Sequence, residues 1–148
     1  MATHKSPKID ALLDTFDPDP AHAGFDRHYV GYFRCFNAQL YYEAHDVLEE
    51  VWLPIRGQSQ AKFYQGLIQM AGGFVHLQKG RLGPASRLFA LALRNFESYP
   101  ARHAGIDLEV IRGICREHRE AVLGSEEKIN PWSKEHPPQL RMPSNEEG

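Results

Sequence analysis

The chain has 148 residues, 42% of them hydrophobic and 24% charged, and a formal net charge of −2. That length suits one domain with a sizeable core. The near-neutral balance gives no general attraction to phosphate backbones or anionic lipid, so neither nucleic acid nor a membrane is an expected partner.

Cys35 and Cys115 stand far apart and outside any CxxC pattern. Both fall in amphipathic stretches, where free cysteine acts as a small buried apolar residue. A disulfide framework is not expected, and a reducing cytoplasm fits. The N-terminal MATHKSPKIDALLD lacks the long apolar core of a signal peptide, and no apolar run approaches the roughly 20 residues that span a bilayer. The expectation is a cytoplasmic protein.

In chain order, SPKIDALLDTF opens the first helix, with Ser6 as N-cap, Pro7 in the first helical position and Ile9, Leu12, Leu13 and Phe16 at helical spacing. The prolines and glycine of DPDPAHAG make the next eight residues a loop. A second helix is expected over 26–37, with Phe25, Tyr29, Tyr32, Phe33 and Phe36 along one aromatic face. A third runs over 41–53 and ends at Pro54, because proline disfavours helical geometry in the residue before it.

The longest helix is expected over 60–79, with Ser59 as N-cap and Gly80 as its stop. It is apolar over most of its circumference, which places it centrally. Gly72 and Gly73 each cost about 1 kcal/mol in helix propensity, and the expected return is the close approach of a neighbouring backbone. A fifth helix spans 84–98, and a sixth starts after Asp107 as N-cap and runs to Gly124. No segment alternates like a strand, and there is no Asn-Gly hairpin turn. From Ser125 the prolines forbid helix, while Ile129, Trp132 and Leu140 could lie across the surface; SNEEG reads as disordered. A weak internal echo pairs Ala44 with Ala85, but two units are too few for a solenoid.

The expected fold is therefore an all-α single-domain bundle of five to six helices with an extended, proline-rich C-terminal tail. Residues 1–24 form a short helix and loop, 25–124 the helical domain, and 125–148 the partly disordered tail.

One polar feature stands out against this apolar pattern. In EAHDVLEEVW, His45 and Glu49 are helix neighbours, with Trp52 nearly one turn further on. On the long helix, Gln65, Gln69, Gly72 and His76 make a narrow polar stripe. If the two stripes face each other across the short connection, His45, Glu49, Gln65, Gln69 and His76 form one buried cluster closed by Trp52. Unpaired burial of such groups costs several kcal/mol, so they satisfy one another or bind something.

Imidazole and carboxylate together suit a divalent metal, or make an acid–base pair in which Glu49 orients His45. The glutamines and His76 would orient a water or small ligand. Equally, the same groups can be a structural hydrogen-bond network that fixes helix register. No second Glu-x-x-His and no HExxH occurs. Asp46 and Glu50 sit one step round and read as solvated. The histidines other than His45 and His76 are scattered and expected mostly at the surface, Ser86 and Cys35 lack an adjacent base, and RHAGIDLEVIRGICREHRE reads as a solvated face.

FNAQLYYEAHDVLEEVW followed by FYQGLIQMAGGFVHLQKG resembles the domain of unknown function 309 family, whose His-x-x-x-Glu-x-x-Trp signature is matched by His45, Glu49 and Trp52. The resemblance covers about residues 33–96. It implies a small helical cytoplasmic protein and names no activity. It adds weight to a site, without separating metal from small ligand.

Two functional readings stand. In the first, His45 and Glu49 are the reactive or metal-ligating pair, and Trp52, Gln65, Gln69 and His76 line a ligand pocket. In the second, the chain is a non-catalytic interaction module, a homodimer built on exposed aromatics such as Tyr29, Tyr32 or Trp132, and the cluster is structural. Neither identifies a particular metal or cofactor.

Overall fold

A computed structural model describes residues 6–16 and 24–145. Among them are six α-helices: α1 (Ser6–Leu13), α2 (Arg27–Asn37), α3 (Tyr41–Trp52), α4 (Ala61–Gln78), α5 (Leu82–Phe96) and α6 (Leu108–Gly124). The loop expected over 17–24 lies outside the described residues as far as 23, as do the Ser6 side chain and residues 146–148. From α2 to α6 each helix packs on the next, and α4 lies between α3 and α5. Phe63, Leu67, Met70, Phe74 and Leu77 of α4 are all fully buried, as a helix apolar on several faces requires.

The helix starts and stops have identifiable causes. Asp26 caps α2 by accepting the His28 N–H at 2.7 Å, and Asp107 caps α6 by accepting the Glu109 N–H at 3.0 Å. α3 passes at Trp52 into a 3₁₀ turn (Leu53–Ile55) that holds Pro54 near its start, where proline is tolerated. Gly80, at φ +72°, follows α4 in the left-handed conformation that glycine reaches without strain.

The start of α4 differs from expectation. Ser59 does not cap it with its side chain. Instead the Tyr99 hydroxyl, reaching back from beyond α5, accepts the Phe63 N–H at 3.0 Å and donates to the Ser59 carbonyl at 2.6 Å. The close approach at the α4 glycines is also made by side chains rather than by backbone. A Cβ on Gly73 would stand 2.6 Å from Phe89 Cε1, and one on Gly72 would stand 3.2 Å from Leu88 Cδ1. Gly66 meets the ring of Phe96 in the same way.

Two short strands, β1 (Arg102–His103) and β2 (Ile106–Asp107), pair antiparallel, which corrects the expectation of none. Their turn residues Ala104 and Gly105 both have positive φ, at 50° and 79°. That is the backbone of a primed hairpin turn, reached with Ala-Gly instead of Asn-Gly. The Tyr29 hydroxyl donates to the Ala104 carbonyl at 2.8 Å and ties this turn to the core.

Residues 125–145 carry no helix or strand, yet they are tied to the bundle. Asn130 donates to the Leu77 carbonyl at the end of α4, and Trp132 Nε1 donates to the Tyr41 hydroxyl. Asn37 both donates to the Leu140 carbonyl and accepts its N–H, at 2.8 and 2.7 Å. The Ser144 N–H then reaches Gly105 of the hairpin at 2.9 Å. Leu140 is buried, whereas Ile129 is 68% exposed.

Candidate functional site

α3 builds the site because of what its other face must do. Tyr41, Ala44, Val47 and Leu48 are fully buried against the core, and this pushes His45, Asp46 and Glu49 onto the half-buried flanks. His45 Nδ1 lies 3.2 Å from Asp46 Oδ1. One ligating atom from each of His45, Asp46 and Glu49 falls within 4.8 Å of the other two. The expected neighbours His45 and Glu49 are therefore together, and Asp46 joins them. Its side chain is only 21% exposed, which corrects the expectation of a solvated residue. Positions i, i+1 and i+4 of one helix flank an imidazole with two carboxylates, and that spacing was the available signal.

Glu50 is likewise not simply solvated: its side chain is 15% exposed and lies 3.7 Å from His28 Nε2 on α2. His28 Nδ1 lies 3.3 Å from Asp26. The hydrogen bond with Asp26, reinforced by the charges of Asp26 and Glu50, raises the His28 pKa against the opposing effect of burial.

The polar stripe of α4 is turned toward α5. Gln69 accepts from the Asn95 side-chain amide at 2.7 Å, and Gly72 abuts Leu88. Gln65 lies one turn earlier on the same line and is half-buried. His76, two turns beyond Gln69, is also half-buried, and its Nδ1 is enclosed without a partner. Burial, then the cationic neighbours Arg81, Lys79 and Arg87, lowers its pKa, so the ring is neutral at pH 7. The stripe expected to complete a pocket with α3 thus contributes Gln69 and Gly72 to the α4–α5 seam.

Trp52 sits three residues past Glu49, partly buried, with the Arg56 guanidinium 5.8 Å from its ring centre. Its indole N–H is enclosed and unpartnered.

Other candidates resolve into structural roles. Tyr29 and Tyr32 are buried, at 3% and 0% exposure, and Trp132 is packed on Tyr41, so these three are not exposed aromatics for a dimer face. His103 packs edge-on against Phe63, and His118 does so against Phe74, so neither is a free surface residue. Ser86 donates to the Gly83 carbonyl within its own helix. Burial pushes the Cys35 thiol up to about 12, which leaves it unreactive. Arg112, in the stretch read as a solvated face, is buried and donates to the carbonyls of Phe96 and Tyr99, each at 2.6 Å.

No described helix is long and apolar enough to cross a membrane. Residues 29–88 match the family described as "Domain of unknown function (DUF309)". An uncharacterized protein of Aquifex aeolicus (strain VF5) is 32% identical over 96 residues, covering 65% of this chain and 28% of that protein. The uncharacterized protein YpuF of Bacillus subtilis (strain 168) is 26% identical over 110 residues, covering 73% of this chain and 62% of its own. The chain thus spans less than two thirds of the length of either relative. The matched segment runs from α2 into α5 and contains His45, Asp46 and Glu49. Through residues 29–88 the chain is similar to the domain of unknown function 309 family.

Proposed function

We propose that α3 holds a divalent transition-metal ion through His45, Asp46 and Glu49. The observation that carries this reading is the convergence of one imidazole and two carboxylates within 4.8 Å. Such a donor set suits manganese, iron or zinc and leaves coordination positions for water or a small ligand. A bound ion would supply Lewis-acid chemistry and a more acidic water. Asp46 and Glu49 would neutralise the ion's charge, and His45, 35% exposed, would set its position at the edge of the bundle. The enclosed Trp52 N–H, within one turn of Glu49, supports a polar occupant nearby, because an unmet buried donor costs about 1–3 kcal/mol. A cytoplasmic setting, with its reduced thiols, fits the two free buried cysteines.

The test is elemental analysis of the purified, untagged protein beside His45→Ala and Asp46→Asn. Near-stoichiometric metal that is lost in both variants supports the site. Absence of metal, together with no saturable binding of Mn²⁺, Fe²⁺ or Zn²⁺, rejects it.

A second reading is a homodimeric interaction module. Tyr42, 60% exposed, and Leu53, 46% exposed, offer an apolar surface on either side of the site. In that case the His45–Asp46 contact is a local pair. Sedimentation that shows a monomer at all concentrations rejects this reading.

A further inference from the structure

The segment that carries α4 into α5, HLQKGRLGPASR, holds three cations and no acid in twelve residues. Backbone bonds draw its turn tight: the Lys79 and Arg81 N–H groups both donate to the His76 carbonyl, at 3.0 and 2.8 Å. Arg87 comes from α5, where the contact of Gly72 with Leu88 sets the two helices side by side. Long side chains on a helix lean toward its N-terminus, which carries Arg87 back toward the turn. The charges of Arg81, Lys79 and Arg87 all reach the His76 ring, and no carboxylate acts on it with them.

Among the described residues, Lys79, Arg81 and Arg87 form no ion pair and no side-chain hydrogen bond. Glu127, whose carboxylate stands against Gly83 at the start of α5, pairs with none of the three. All three cations are exposed, and the His76 ring between them is half-buried. Its Nδ1 is enclosed without a partner, which leaves Nε2 as the nitrogen open to a ligand. Like charges gathered without a counter-charge work against the folded state, and soluble surfaces ordinarily intersperse the two signs. On a chain of net charge −2, a cluster that its own acids leave uncompensated is suited to an anion from outside.

We propose that the α4–α5 turn binds the phosphate group of a small soluble molecule, held between Lys79, Arg81 and Arg87 with His76 at its inner edge. Phosphate suits the cluster better than carboxylate does, because it brings close to two charges and three acceptor oxygens to three separate cations. Arg81 and Arg87 supply planar forks, and Lys79 a compact point charge. His76, neutral at pH 7, offers its Nε2–H as a further donor. The tight turn is fixed before binding, so little backbone order is lost when the anion arrives. The cations are exposed, so the site takes the phosphate head and leaves the rest of the molecule in solvent.

The test is calorimetric titration of the full chain at about 0.15 M ionic strength, where loose surface attraction is screened. The probes are inorganic phosphate and glycerol 3-phosphate, with acetate as the carboxylate control. Saturable one-to-one binding of at least one phosphate is expected, with acetate at least about tenfold weaker. Arg81→Gln and Arg87→Gln should each weaken it about tenfold, and His76→Leu about threefold or more. Lys62→Gln, at the opposite end of α4, should leave it unchanged. Circular dichroism confirms that the variants are folded. The proposal is overturned if neither phosphate binds saturably, if acetate binds as well, or if Lys62→Gln weakens binding as much as the arginine variants do. Binding to phosphatidate-containing vesicles without binding to either soluble phosphate would assign the turn to a lipid surface and overturn the soluble ligand.

Discussion

Phe96 of α5 lies with its ring against Gly66 of α4, and Phe89, seven residues earlier, lies against Gly73, seven residues later. The two helices run antiparallel, so a glycine spacing on one matches a phenylalanine spacing on the other. Each ring fills the place where a Cβ would stand. Gly73→Ala gains about 1 kcal/mol in helix propensity but forces an overpacked contact that costs about 1–3 kcal/mol. Net destabilisation is expected by chemical denaturation. In a Phe89→Leu background the same substitution should be neutral or favourable, and a double-mutant cycle measures that coupling. An unchanged effect in the two backgrounds would refute the contact.

The metal reading separates Asp46 from the glutamines. Asp46→Asn should lower affinity for Mn²⁺ or Zn²⁺ by at least about tenfold, since a charged ligand is replaced by a neutral one. Gln69→Ala should leave affinity unchanged while destabilising the fold by about 1 kcal/mol through loss of the Asn95 hydrogen bond. Titration calorimetry and a thermal melt read the two effects separately. A Gln69→Ala variant that loses metal would restore the single-pocket arrangement.

Tyr99→Phe tests the start of α4. It removes the acceptor for the Phe63 N–H and the donor to the Ser59 carbonyl while preserving the ring. A loss of about 1–2 kcal/mol is expected, comparable to losing a helix cap. Amide exchange should rise first at Phe63. No change at Phe63 would refute the capping role.

His28 gives stability a pH dependence of definite sign. Its folded pKa is raised above the ordinary 6.5. The bonus from the Asp26 and Glu50 contacts is therefore fully present below about pH 6.5 and is lost as pH rises through the folded pKa. The stability difference between wild type and His28→Gln should be larger at pH 6 than at pH 8, by no more than about 1 kcal/mol. His76, His103 and His118 have lowered pKa values and act oppositely, losing stability as pH falls below 6.5, but they are common to both proteins and cancel in the comparison. A difference that grows with pH would contradict the assignment.

Helix existence was legible throughout, because apolar spacing and the stops at Pro54, Gly80 and Gly124 act locally. The caps at Asp26 and Asp107 were legible for the same reason. The cap from Tyr99 was not, since it reaches the Phe63 N–H from 36 positions away. On α3, the pairing of His45 with Glu49 followed from spacing alone. Asp46 did not, because whether a flanking residue meets water depends on how broadly the neighbouring helices cover it. The α4 stripe was visible as a face, but a face does not name its neighbour. The matched spacing of Gly66 and Gly73 with Phe89 and Phe96 names α5, but that signal lies across two elements and not within the Gly72-Gly73 pair. Arg112 looked like a surface charge because its partners, the carbonyls of Phe96 and Tyr99, belong to backbone that no side-chain pattern reports.

The bonds between Asn37 and Leu140 join positions 103 apart in the chain. Helical hairpins such as α4–α5 close short loops and form quickly, whereas a link of that span must wait for the bundle on which it lands. The segment around Leu140 is therefore expected to settle late during folding and to open before the helical core. Its amides, including that of Leu140, should exchange with solvent at a lower free-energy cost than those of α4.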